Sequence, residues 1–157
     1  MSFKKILVPF DGSEHARAAL EVAKEFLTDP QAEIHIISVV PIAAMPPALN
    51  MRSDPFAGSA ASFIDYDEYS NLINDALENA KNELEETLAA LINMPGRVVV
   101  EAVPNESIAR GITAYSTEHQ CDVIVMGRRG LGAIRGMLGS VSFAVLREAD
   151  IPVMTVK

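Results

Sequence analysis

Residues 123–142 read VIVMGRRGLGAIRGMLGSVS, an apolar run that breaks into Gly127, Gly130, Gly132, Gly136 and Gly139. Arg128, Arg129 and Arg135 are interleaved with them, and Ser140 follows the last. Glycine lets backbone N–H groups turn toward a ligand and lets that ligand approach without a Cβ in between. Arginine adds planar donors that match phosphate oxygens. The same glycines could serve a tight strand-to-helix connection and nothing more. Five of them within thirteen residues, with three arginines in an acidic chain, favour a cradle for a phosphorylated small molecule. The N–H groups of Gly139, Ser140 and Val141 would open the following helix and add about 0.3–1 kcal/mol for an anion. Ser140 reads either as the N-cap of that helix or as a hydroxyl facing a phosphate.

A cradle of this kind needs elements to hold it. KKILVPF (4–10) is a short apolar run stopped by Asp11, Gly12 and Ser13. Residues 14–27 carry Ala16, Ala19, Leu20, Ala23 and Leu27 at helical spacing, with Ser13 as N-cap. EIHIISVVPI (33–42) reads as a second strand, and 67–92 as a long amphipathic helix with Leu72, Ala76, Ala80, Leu84, Leu88 and Leu91 on one side. RVVVEAV (97–103), the helix 106–119, the strand 121–127, the helix 140–149 and the strand 151–157 complete the series.

Strand and helix alternate, and the first, second and fourth strands are nearly all apolar. Continuous hydrophobicity means burial on both faces, as in parallel sheets. The expected fold is α/β, a single open five-stranded parallel sheet with helices on both faces. Ligands of such sheets sit beyond the carboxyl ends of the strands where strand order reverses. The turn Pro9–Ser13 and the loop from Gly127 onward are then two walls of one site. Residues 43–66, rich in Pro, Ala, Met and Ser, read as a surface insertion or a lid.

At 157 residues and 49% hydrophobic content, the chain fits one domain, 1–157. A net charge of −8 argues against nucleic acid or an anionic membrane as partner. Charges beyond about 8 Å are screened at physiological salt, so local arginines still outweigh distant carboxylates. No run reaches the length of a membrane span, the opening apolar stretch is too short for a signal peptide, and the single Cys121 suits a reducing cytoplasm. His15, His35 and His119 lack metal-ligand spacing, His35 reads as a strand residue, and Cys121 as a packed one. No P-loop occurs, and the glycines follow the fourth strand rather than the first, unlike a dinucleotide fingerprint. No Ser-His-Asp order or placed carboxylate pair argues for hydrolysis.

Four segments, in order, carry a resemblance: KKILVPFDGSEHARAAL, IHIISVVP, VPNESIARGI and the whole of 121–157. Over essentially its full length the chain resembles a universal stress protein domain. That resemblance implies strand order 3-2-1-4-5, an adenine nucleotide alpha hydrolase-like arrangement, frequent homodimers through the last strand, and one branch that binds ATP. The branch carries G-x2-G-x9-G-[ST]. Gly127 and Gly130 match its first pair and Gly139-Ser140 its last, with a spacer, 131–138, of eight residues rather than nine. Ala102 stands where the family often has glycine.

By this resemblance, backbone groups at Gly127, Gly130, Gly139 and Ser140, with the hydroxyls of Ser140 and Ser142, would hold phosphates and ribose. Pro9 and Asp11 match the end of the first strand, where the family's aspartate lies against the nucleoside. Asp-Gly-Ser is also ordinary turn chemistry. Val39 matches the position whose backbone reads adenine. Met126, Arg129 and Val141 flank these positions and complete the candidate set. The expected ligand is ATP, with Mg2+ bound through the phosphates.

The last strand, at a sheet edge, would be covered by pairing with its copy, giving a homodimer through 151–156, or by a loop of the same chain. Two functions remain in view. One is an ATP-binding, cytoplasmic stress-response module with at most slow hydrolysis; the other is a dimeric interaction module that binds no nucleotide.

Overall fold

The computed structural model describes residues 3–27, 29–42, 66–89, 96–131 and 138–157. Among them strands and helices alternate as β1 (Lys5–Pro9), α1 (Glu14–Lys24), β2 (Glu33–Pro41), α2 (Tyr66–Ala89), β3 (Arg97–Asn105), α3 (Ile108–Glu118), β4 (Val123–Gly127), α4 (Ser140–Glu148) and β5 (Val153–Val156). All neighbouring strands are parallel, in the order β3-β2-β1-β4-β5. The sheet and its order are those expected. Residues 43–65, read as insertion or lid, lie outside the described residues, as do Leu91 and the loop residues Gly132, Arg135 and Gly136.

The period of two along each strand sorts the core into two layers. Ile6, Val8, Ile34, Ile36, Val123 and Val125 meet Ala16, Ala19, Leu20 and Ala23 of α1 and Leu84 and Leu88 of α2. Leu7, Ile37, Ile124 and Met126 face the opposite way, toward Ala109, Ile112 and Tyr115 of α3 and Val145 of α4. Both faces are therefore covered, which is why these strands have no polar alternation.

Helix ends depart from the expected spans for identifiable reasons. After Lys24, the N–H groups of Glu25, Phe26 and Leu27 bond three residues back, to Val22, Ala23 and Lys24, so the expected last turn of α1 is tightened out of α geometry. In α2 the apolar stripe is buried only at Leu84 and Leu88, while Leu72 is 54% exposed. A 24-residue helix is about 36 Å long and a nine-residue strand about 30 Å, so the helix outruns the sheet. No helix among the described residues is long and apolar enough to cross a membrane.

One polar chain crosses the second layer, away from the carboxyl ends of the strands. His35, buried on β2, places Nδ1 3.0 Å from the Tyr115 hydroxyl and Nε2 3.3 Å from Glu33 Oε2. Tyr115 donates to Glu101 Oε2 at 2.9 Å, its ring stacks on His119 at 3.8 Å between centroids, and Arg97 Nη1 donates to Glu33 Oε1 at 3.1 Å. Burial lowers the His35 pKa against the opposing pull of Glu33. The contact with His35, and after it the charge of Arg97, holds the Glu33 carboxyl below its ordinary range, while desolvation works the other way. Burial, then the bond to Glu101, pushes the Tyr115 hydroxyl up. Cys121 is buried and its thiol is pushed up to about 11, chiefly by desolvation, which makes it the packed residue expected from the sequence.

Candidate functional site

The carboxyl ends of β1, β2 and β4 open into a cleft of about 410 Å³. From β1 the chain departs toward β2 on one side, and from β4 toward β5 on the other, so the cleft lies at the reversal of strand order.

Every candidate residue lines this cleft. Pro9 and Asp11 come from the end of β1 and the turn after it, Val39 from β2, and Met126 and Gly127 from the end of β4. Arg129 and Gly130 come from the following loop, and Gly139, Ser140, Val141 and Ser142 from the start of α4. Sequence reasoning missed Phe10, Ala16, Ile37, Ser38, Ile108, Ile112 and Leu131, which also line it. Ile108 and Ile112 had a usable signal: an i,i+4 apolar pair opening the helix after the third strand.

The turn after β1 organises the floor. Ser13 caps α1 by accepting the Ala16 N–H at 3.1 Å. Asp11 Oδ1 accepts the Ser13 N–H at 3.0 Å, as turn chemistry predicts, and its Oδ2 accepts the Leu131 N–H at 3.3 Å. The Ser13 hydroxyl reaches the Arg129 carbonyl at 3.5 Å. A Cβ on Gly130 would collide with Asp11 Oδ2. A Cβ on Gly127 would stand 2.8 Å from the His15 carbonyl carbon and 2.9 Å from the Ala16 nitrogen. Gly127 is thus required by close approach of β4 to the first turn of α1, whatever the cleft holds.

Three expectations about α4 change in detail. Its N-cap is Gly139, with no side-chain cap, and Ser140 is the first helical residue rather than the cap. Gly139 does not offer its N–H to a ligand, because that group donates to the Arg128 carbonyl at 3.0 Å and folds the loop back on itself. Ser142 is buried, and its hydroxyl donates to the Gly127 carbonyl at 2.9 Å, tying α4 to the end of β4.

The result is a cleft with two unlike ends. Ile37, Val39, Ile108, Ile112 and Met126 supply an apolar end, while the uncapped start of α4 supplies donors for an anion. Asp11 is the single carboxylate among the described lining residues, and both its oxygens accept backbone N–H groups. Such a surface suits binding of a ligand with a flat apolar part and an anionic tail. Among the described residues it holds no paired acid and base.

Comparison with known proteins agrees with this architecture. The model of the universal stress protein family matches residues 2–157. A universal stress protein encoded in the QAH/OAS sulfhydrylase 3′ region of Thermus aquaticus is 31% identical, covering 99% of both chains. Universal stress protein MJ0577 of Methanocaldococcus jannaschii is 30% identical over 99% of this chain and 95% of its own. The solved structure of MJ0577 superposes with a TM-score of 0.74 over 100% of this chain and 97% of that one, at 26% identity in that alignment. Two further universal stress proteins share the fold at TM-scores of 0.60 and 0.61 and identities of 21% and 18%, each covering all of this chain and 99% and 100% of their own; the first was solved in complex with cAMP and the second, from Archaeoglobus fulgidus, with dAMP. With the family match spanning the sheet, the cleft and the edge strand alike, this chain belongs to the universal stress protein family.

Proposed function

We propose that the cleft binds an adenine nucleotide, with ATP and its phosphate-bound Mg2+ as the ligand, and that the protein is a nucleotide-dependent stress-response module rather than an enzyme of strong turnover. The observation that carries this reading is convergence. Residues singled out in the turn after β1, on β2, at the end of β4 and in its loop, and at the start of α4 line one cleft at the reversal of strand order. The base would occupy the apolar end beside Val39, the ribose the neighbourhood of Asp11, and the phosphates the backbone at Gly130 and at Ser140–Val141. The Ser140 hydroxyl would assist, while Gly127, Gly139 and Ser142 would shape the wall. Complexes of two family members with cAMP and dAMP support adenine nucleotides as the ligand class.

Occupancy would fix the loop after β4 and so signal to a protein partner. The β5 edge, residues 151–156, would pair with its copy in a homodimer. The net charge of −8 disfavours nucleic acid, and a cytoplasmic location suits the lone, buried thiol.

One observation favours the alternative, a dimeric interaction module without nucleotide: Asp11, Gly139 and Ser142 already satisfy their polar groups within the chain. Calorimetric titration of nucleotide-free protein with ATP and magnesium decides between them. Saturable binding that is lost in Gly130→Val and weakened in Arg129→Ala supports the nucleotide reading. No saturation up to millimolar ATP selects the alternative. Binding that survives Gly130→Val places the site elsewhere.

A further inference from the structure

Gly111 is the fourth residue of α3, is buried, and donates its N–H to the Ser107 carbonyl at 2.8 Å. Its φ lies outside the left-handed region, where only Gly12 and Gly96 fall among the described glycines, so the backbone does not demand glycine there. After proline, glycine is the least favourable residue for a helix interior. What demands it is contact: a Cβ at Gly111 would stand 2.7 Å and 3.2 Å from the two γ-methyl groups of Val39 and 3.1 Å from Asn105 Cβ. Turning Val39 about χ1 would move one methyl away and leave the other, and a β-branched side chain resists the turn. Asn105 Cβ cannot rotate at all.

The place of this contact gives it a consequence beyond packing. Val39, Ile108 and Ile112 all line the cleft, and the two isoleucines flank Gly111 on the same helix. Ile108 is 37% exposed, a large apolar residue left open at the cleft rather than in the core. The distance from β2 to this edge of α3 is therefore fixed where Gly111 meets Val39.

We propose that Gly111 is a positioning residue that sets the width of the apolar end of the cleft, and thereby how closely it holds the flat base of the nucleotide. This inference rests on the nucleotide reading above and assigns the residue that gauges its base. An added Cβ would push α3 outward or Val39 into the cleft, and either shift misplaces the contact surface by about the size of a methyl group. A change of that size in an apolar pocket alters affinity about tenfold or more.

The test is a cycle of Gly111→Ala, Val39→Ala and the double variant, each titrated with ATP and with AMP and each followed by thermal melting. Gly111→Ala is expected to weaken ATP and AMP by the same factor, about tenfold, because both ligands share the base. The double variant, in which the colliding methyls are gone and only the 3.1 Å approach to Asn105 Cβ remains, is expected to regain most of the affinity of Val39→Ala alone. A general loss of structure would lower the melting temperature and would not be rescued at Val39. Wild-type binding with Gly111→Ala unchanged, or a double variant no better than Gly111→Ala, overturns the gauge and leaves the nucleotide reading standing. Wild type that binds neither ligand overturns both.

Discussion

Asp11 Oδ2 accepts the backbone N–H of Leu131 at 3.3 Å, joining residues 120 positions apart across the floor of the cleft. Its other oxygen holds the Ser13 N–H at 3.0 Å, so one carboxylate couples the turn after β1 to the loop after β4.

Replacing Asp11 should therefore loosen two segments together. Asp11→Ala is expected to cost about 2 kcal/mol in urea unfolding, since hydrogen bonds to a charged group contribute about 1.5–3 kcal/mol each when buried and less when solvated. Asp11→Asn keeps one acceptor oxygen and should recover about half. Hydrogen exchange at Leu131 and Ser13 should quicken in both variants. Unchanged exchange at Leu131 would mean that the loop is held by other contacts.

Stability should fall with acid through His35. Its folded-state pKa lies below the ordinary value of about 6.5, so the unfolded chain binds the proton more readily. The contribution is complete above about pH 6.5 and is lost as pH falls through the lower folded-state value. Glu33, Glu101, Tyr115, His119 and Lys5 surround the ring or its partners, and the first opposes the shift. His35→Asn should flatten the dependence of urea midpoint on pH in that window. Parallel slopes in the two proteins would assign the proton elsewhere.

The β5 edge gives a clean perturbation. Ile124 N–H donates to Pro152 and Arg128 N–H to Val156, so the even-numbered residues face β4, and Val153 and Thr155 direct their backbone groups outward. Thr155→Pro removes one outward donor without touching the β4 ladder. Sedimentation should show a wild-type dimer and a folded monomeric variant. A wild type that is already monomeric would refute pairing through this edge.

Gln120 holds φ at 54° immediately after α3. Its N–H bonds the Thr117 carbonyl and that of Cys121 bonds the Ser116 carbonyl, the pair of bonds that ends a helix in a left-handed turn. A side chain in that conformation costs about 1 kcal/mol. Gln120→Gly is expected to raise the melting temperature by about 2–4 °C. A lower melting temperature would show that the Gln120 side chain makes a stabilising contact.

The sheet was legible because ILV in β1 and VIVM in β4 are apolar without alternation, and only two-sided burial demands that. Strand order came from the resemblance and not from the pattern, since no local signal says which neighbour β1 chooses. The polar wall of the cleft was legible because glycine, serine and aspartate announce turns and helix starts. Its apolar wall was not: Ile108 and Ile112 look like any helix stripe until α3 is set beside β2. The role of Ser142 was also hidden, because its partner, the Gly127 carbonyl, is a backbone atom that carries no residue signature. His35 was correctly read as a strand residue, yet its tie to Tyr115 spans 80 positions and had no trace in spacing.

The chain from Glu33 through His35 and Tyr115 to Glu101 has a consequence in proton arithmetic. It contains three contacts, at 3.3, 3.0 and 2.9 Å, but a neutral imidazole and a phenol bring only two protons to fill them. Tyr115 gives its proton to Glu101, which leaves the single hydrogen of a neutral imidazole to serve either Nδ1 against Tyr115 or Nε2 against Glu33. Protonation of His35 puts a hydrogen on both ring nitrogens and fills both contacts at once, so the proton that the buried ring resists is the one that completes the chain from β2 across α3 to β3.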